Sequence, residues 1–302
     1  MPWKIKPSMR QSRSHAAAAA QGNRIYVMGG IGEAAPPLAS VEIYDPKTGQ
    51  WTEGPPLPTP RSHIAAVALQ ERIFALGGKS QKPDGSVEFS KAVEIFNPST
   101  QNWERGPDLL FFHADGGAAI WRGIIYVVGG EHPEATAGDN LGSASAERWD
   151  PLRKKWFEIP SLPTPRFGFA TVGFNNRIIA MGGRTRQGGK DVFFETAEAF
   201  ETAQKAWEPY SLTQLPTPAA GVGACSMANL FVLGGEDGRG VLNQVYSVDQ
   251  LQRRWIKMDP LPEPRAYASV LTNVAHLDNS IYVLGGRGAN GIPVSTVFAF
   301  NT

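Results

Sequence analysis

His15, His63 and Asp115 stand about 50 residues apart, at equivalent places in three successive repeats of the chain. Two imidazoles and one carboxylate are a set that can hold a divalent metal ion or work as an acid and base pair. The same register continues as Gly168, Gly221 and Tyr267. Two residues earlier stand Arg13, Arg61, Arg166 and Arg265, with His113 in the third repeat and Ala219 in the fifth. Guanidinium groups and imidazoles at one recurring position suit contact with carboxylates or other polar groups of a ligand.

Such residues need a frame that returns them to one place six times. It is visible in IYVMGG (Ile25 to Gly30), which recurs as IFALGG from Ile73, IYVVGG from Ile125, IIAMGG from Ile178, LFVLGG from Leu230 and IYVLGG from Ile281. Apolar and β-branched residues followed by two glycines predict a strand buried on both faces that ends in a sharp turn. Each repeat supplies four strands. A small-residue strand such as SHIAAVAL from Ser62 comes first, then the double-glycine strand. A variable loop leads to a third strand, such as VEIYDP from Val41, and a short fourth strand carries a tryptophan. Short connections make this a four-stranded antiparallel meander.

Tryptophan fixes the register. Trp51, Trp103 and Trp156 lie 26 residues before the first glycine of the next pair, and Trp207 and Trp255 lie 27 and 30 before theirs. Trp3 also lies 26 residues before Gly29, whereas the chain ends on FAFNT, a third strand without a fourth. The expectation is that the first strand of the chain completes the last blade and closes a ring, with the tryptophans packed between blades. This pattern resembles the kelch-repeat family over essentially the whole chain. The resemblance implies an all-β, six-bladed β-propeller, here one domain over residues 1–302, but it implies function far less well, because kelch propellers include adaptors, actin-associated proteins and a few enzymes.

Composition agrees with that frame and narrows the partners. Hydrophobic residues make up 42% and charged residues 19%, with 33 glycines and 24 prolines, enough for a large core and unsuited to a helical fold. A formal net charge of +1 provides no field for nucleic acid or an anionic membrane. Cys225 is the single cysteine, in an apolar small-residue stretch, which fits a buried thiol and a reducing, cytoplasmic setting. The basic, alanine-rich first twenty residues align with the predicted strands and read as part of the fold rather than as a secretory leader.

Antiparallel order puts the Pro-Arg turn and the loop after each double glycine on one face of the ring, around the channel mouth. In related kelch adaptors this is the face that binds peptide, and the resemblance implies the same preference here. The loops add Glu131 and His132, Arg184, Glu236 and Arg287 to the candidate contacts. The third loop, Glu131 to Ser145, is the longest and also carries Glu134 and Asp139. A second reading applies to the arginines. Glu42, Glu94, Glu147 and Glu198 recur on the third strand, so Arg13, Arg61 and Arg166 can instead form structural pairs inside their blades. Arg265 has no matching glutamate and is assigned to ligand contact. Phe111 and Phe112 pack in a reshaped turn or form an apolar wall beside His113 and Asp115.

No phosphate-binding glycine loop, HExxH, paired cysteines or GxSxG is present, and no cofactor is called for. The expected function is a binding module whose mouth takes a peptide segment or a small polar ligand. The alternative implied by the resemblance is an enzyme of the sugar mutarotase, isomerase or cyclase type, using His15, His63 and Asp115 as acid and base groups or as metal ligands.

Overall fold

The computed structural model describes residues 3–33, 36–133, 141–210, 214–251, 253–272 and 280–301. Six four-stranded antiparallel sheets form the blades of a propeller. In the first blade β2 (Ala17–Gln21), β3 (Arg24–Met28), β4 (Val41–Asp45) and β5 (Gln50–Gly54) follow one another as a meander. The double-glycine strands are buried on both sides, Ile25 and Val27 facing one neighbouring blade and Tyr26 and Met28 the other, because each blade is packed against both of its neighbours. Six apolar clusters accordingly lie between adjacent blades rather than in one central core. Cys225 is buried in one of them, and burial pushes its thiol pKa up.

The ring closes as the tryptophan register predicts. Strand β1 (Lys4–Lys6) pairs antiparallel with Val297–Asn301, Ile5 opposite Phe298, and supplies the outer strand of the sixth blade. Trp3 packs against Phe300 with ring centroids 5.2 Å apart. Each of the six tryptophans in this register also donates its indole N–H to a backbone carbonyl of the preceding blade. Trp51 reaches Pro7, Trp103 reaches Pro55, Trp156 reaches Pro107, Trp207 reaches Pro160, Trp255 reaches Gln214 and Trp3 reaches Asp259, at 2.7–3.0 Å. The indole therefore fills the gap between blades and fixes their spacing with its one polar atom.

Within blades, the recurring arginine is an internal strut. Arg61 is fully buried; it donates to the carbonyls of Gly77 and Ala92 at 2.7 and 2.9 Å and to Glu94 Oε2 at 2.8 Å. Arg13 does the same with Gly29, Ser40 and Glu42, and Arg166 with Gly182, Thr196 and Glu198. A guanidinium can serve several acceptors of one turn at once, which explains the residue type. In the third blade His113 takes the role. Its Nδ1 lies 2.6 Å from the carbonyl of Gly129 and its Nε2 3.1 Å from Glu147, both groups buried. Arg265 is also buried, and its acid comes from its own turn: it donates to Glu263 at 2.6 Å and to the Thr296 hydroxyl.

The turns after the double glycines carry the chain over the mouth. Gly78, at φ +93°, shows why glycine is needed there, since a Cβ would lie 2.4 Å from the Ser62 carbonyl oxygen. In the second and fourth blades the loop extends into a small hairpin, Lys79–Gln81 with Val87–Phe89 and Arg184–Gln187 with Lys190–Phe193.

Candidate functional site

The channel mouth is built on a closed backbone collar. His15, His63, Asp115, Gly168, Gly221 and Tyr267 all have left-handed backbone, with φ between 51° and 63°. In each, the N–H donates to the carbonyl of its counterpart in the preceding blade at 2.6–3.2 Å, and His15 closes the circle on Tyr267. A positive φ is uncommon outside glycine, and the ring of hydrogen bonds between blades holds His15, His63, Asp115 and Tyr267 in that conformation. These residues precede the inner strands rather than belong to them. Alternation along a strand therefore does not govern them, and their side chains line a cavity of about 110 Å3 in the mouth.

Half of the collar is filled by rings. His15 lies between Tyr267 and His63, with centroids 4.1 and 4.2 Å away. The glycines of the other half make room. A Cβ on Gly221 would come within 2.9 Å of the Tyr267 ring. Each histidine has the hydroxyl of the preceding serine beside its Nδ1, Ser14 at 3.2 Å and Ser62 at 2.9 Å. His63 Nε2 faces Asp115 Oδ2 at 3.7 Å, an ion-pair separation longer than a hydrogen bond.

This crowding sets the ionisation. Burial, then the neighbouring His63 and the cations Arg287 and Lys79, push the His15 pKa down to about 3 against the pull of Asp115. Burial and then Lys79 and Arg184 hold His63 well below its ordinary value. Both imidazoles are neutral near pH 7. The Tyr267 phenol is pushed up, first by burial, with Asp115 adding and Arg184 opposing.

Above the collar lies a second circle, the residue after each double glycine: Ile31, Lys79, Glu131, Arg184, Glu236 and Arg287. Each bridges the residue just before the collar position, as Ser62 does with Lys79 and Phe167 with Arg184. Five of the six are charged, and their sign alternates from blade two to blade six. Lys79 meets Glu131 at 2.6 Å. Glu236 accepts from Arg184 at 2.9 Å, from the Tyr267 hydroxyl at 2.9 Å and from Arg287. Glu131 has its pKa raised by burial and by Asp115, with Lys79 opposing. Arg184 also lies over the rings of Phe167 and Tyr267, and Arg287 over Tyr267.

The expected contacts therefore divide. His15, His63, Asp115, Tyr267, Glu131, Arg184, Glu236 and Arg287 converge on the mouth. Arg13, Arg61, His113, Arg166 and Arg265 do not; the expectation that they reach a ligand is corrected by their burial as struts, Arg265 included. His132 is exposed and, with Lys91, Phe111, Phe112 and Pro133, lines a separate groove of about 360 Å3, so those phenylalanines are not a wall of the inner channel. Glu134 and Asp139 lie outside the described residues. Lys79 is the mouth residue that motif reading passes over, although its place directly after Gly78 marks it. A larger cavity of about 660 Å3 opens on the opposite face between blades five and six, with Phe231, Leu251, Ile256, Met258 and Phe300 in its wall.

The kelch motif matches residues 12–58 and 60–110, and a model described as the KLHDC2/KLHL20/DRC7 Kelch-repeats domain matches residues 113–302. The chain is 26% identical to beta-scruin of Limulus polyphemus over 65% of its length, covering 22% of that protein. It is 25% identical to human Kelch-like protein 34 over 78% of its length, covering 35% of that protein. It thus spans about a fifth to a third of the length of these curated relatives. A solved structure titled as that of YjhT has a TM-score of 0.82, covering 98% of this chain and 97% of that one, at 17% identity, a likeness of fold alone. Together the matched segments run from the first blade to the last, and the chain belongs to the kelch-repeat family.

Proposed function

We propose that this propeller is a protein-interaction module whose alternating circle of Lys79, Glu131, Arg184, Glu236 and Arg287 receives a polar peptide segment carrying charges of both signs. The observation that carries this reading is the circle itself, five charges on five blades at the rim of one mouth. Kelch-repeat propellers typically serve as interaction modules, which supports the class. Cavity size favours a peptide over an enclosed substrate: about 110 Å3 is well below the roughly 300–1,000 Å3 of small-molecule sites, so a ligand would rest on the rim and insert at most one side chain. The rim charges are already paired with one another, so they would discriminate among partners and orient them more than they would add affinity.

The test is selection of binders from a random peptide library on the intact chain. Selected peptides should lose at least tenfold in affinity, about 1.4 kcal/mol, on Lys79→Glu and on Glu236→Lys. Affinity should be unchanged on Lys47→Glu, an exposed position on the opposite face. Equal binding to all four proteins would place the ligand elsewhere.

A further inference from the structure

We infer that His15, His63 and Asp115 form a three-ligand site for one divalent transition-metal ion of the zinc type, its remaining coordination positions turned into the mouth. The donor atoms of the three residues lie within 4.8 Å of one another. Around a tetrahedral ion with bonds of about 2.0–2.1 Å, ligand atoms stand roughly 3.4 Å apart. The pair His63 Nε2 and Asp115 Oδ2, at 3.7 Å, is close to that spacing already. His15 is stacked on His63, with centroids 4.2 Å apart, so its ring must turn out of that stack to aim a nitrogen at the same point, while the backbone collar holds the chain at all three positions.

Three features beyond the cluster point the same way. A metal-bound imidazole is usually oriented by a hydrogen bond from its other ring nitrogen. Here Ser14 and Ser62, both buried, place a hydroxyl beside Nδ1 of His15 and His63. With each Nδ1–H donating to its serine, the Nε2 lone pairs are left for an ion. The cavity of about 110 Å3 holds an ion and two or three waters, taking about 30 Å3 for each water. Finally, the cations around it are already committed, Lys79 to Glu131 and both Arg184 and Arg287 to Glu236. These pairings, with Asp115 on the ion's own side, moderate the repulsion that the three cations exert on the two imidazoles. Two imidazoles and one carboxylate on one side leave the arrangement open, as in sites where a metal also takes a ligand oxygen.

This inference does not need the peptide reading, and its test uses no peptide, so either can fail alone. The intact chain, stripped with chelator, is titrated with Zn2+ by calorimetry and with Co2+ by visible absorption. One equivalent should bind per chain, with Co2+ giving the d–d bands of a four- or five-coordinate ion. His63→Asn and Asp115→Asn are chosen because asparagine tolerates the left-handed backbone at both positions. Each should weaken binding at least tenfold while the melting curve shows a folded chain. Absence of stoichiometric binding to the wild-type chain would overturn the assignment, as would folded variants that bind both ions as the wild type does.

Discussion

Arg61→Met should lower the folding free energy by about 3–5 kcal/mol, the usual effect of removing one partner of a buried ion pair. The loss has two parts. Glu94 would be left as a buried charge without its partner, and the carbonyls of Gly77 and Ala92 would each lose a donor. Adding Glu94→Gln removes the charge but not the two orphaned carbonyls, so the double variant should recover only part of the loss. Denaturant unfolding followed by tryptophan fluorescence measures both. Peptide affinity of the folded fraction should be unaffected, because Arg61 is out of reach of the mouth. The reverse pattern, intact stability with lost binding, would make Arg61 a ligand residue after all.

Removing residues 1–6 should have a comparable or larger effect. The truncated chain loses the pairing of Lys4–Lys6 with Val297–Asn301, the contact of Trp3 with Phe300 and the bond from Trp3 to the Asp259 carbonyl. Loss of a fully buried tryptophan costs about 3–5 kcal/mol; Trp3 is partly buried, so its share is smaller, and the lost strand pairing adds to it. At about 2 °C per kcal/mol, the low end of the range for somewhat smaller domains, the melting temperature should fall by at least several degrees. The uncovered strand edge also becomes a template for pairing with other chains, so self-association should rise. A synthetic peptide of residues 1–8 added in excess should reverse both effects. A truncated chain that melts with the full-length one and stays monomeric would mean that the seam does not hold the ring.

Much of this architecture is legible in the sequence because it is repeated. The six double glycines that end a second strand and the six tryptophans of the fourth strands report the same backbone needs in the same order, and the offset of Trp3 from Gly29 encodes the closure of the sixth blade. The candidate site is less legible for the same reason. A repeated residue type reveals what each blade requires, as the buried arginines do, whereas the mouth is formed where the repeats differ. Arg265 shows the difficulty. Its strand position lacks a glutamate, but Glu263 in its own turn and Thr296, just before the third strand of the blade, accept from its guanidinium, which spacing along the chain does not reveal. The collar is a second case. His15, His63 and Asp115 lie in register in the sequence, yet their direction depends on a left-handed turn and on hydrogen bonds between blades. The alternating charge circle is visible only once Lys79 is aligned with Arg184 and Arg287 as the residue that follows each turn.

Amide hydrogen exchange of the intact chain, with and without a selected peptide, locates the face that binds. Exchange should slow at 79–81, 131–132, 184–187, 236–238 and 287–288, with no change in the turns at 47–49, 98–101 and 203–205 on the opposite face. Protection confined to those opposite turns, or to the outer strands, would contradict a binding face at the mouth.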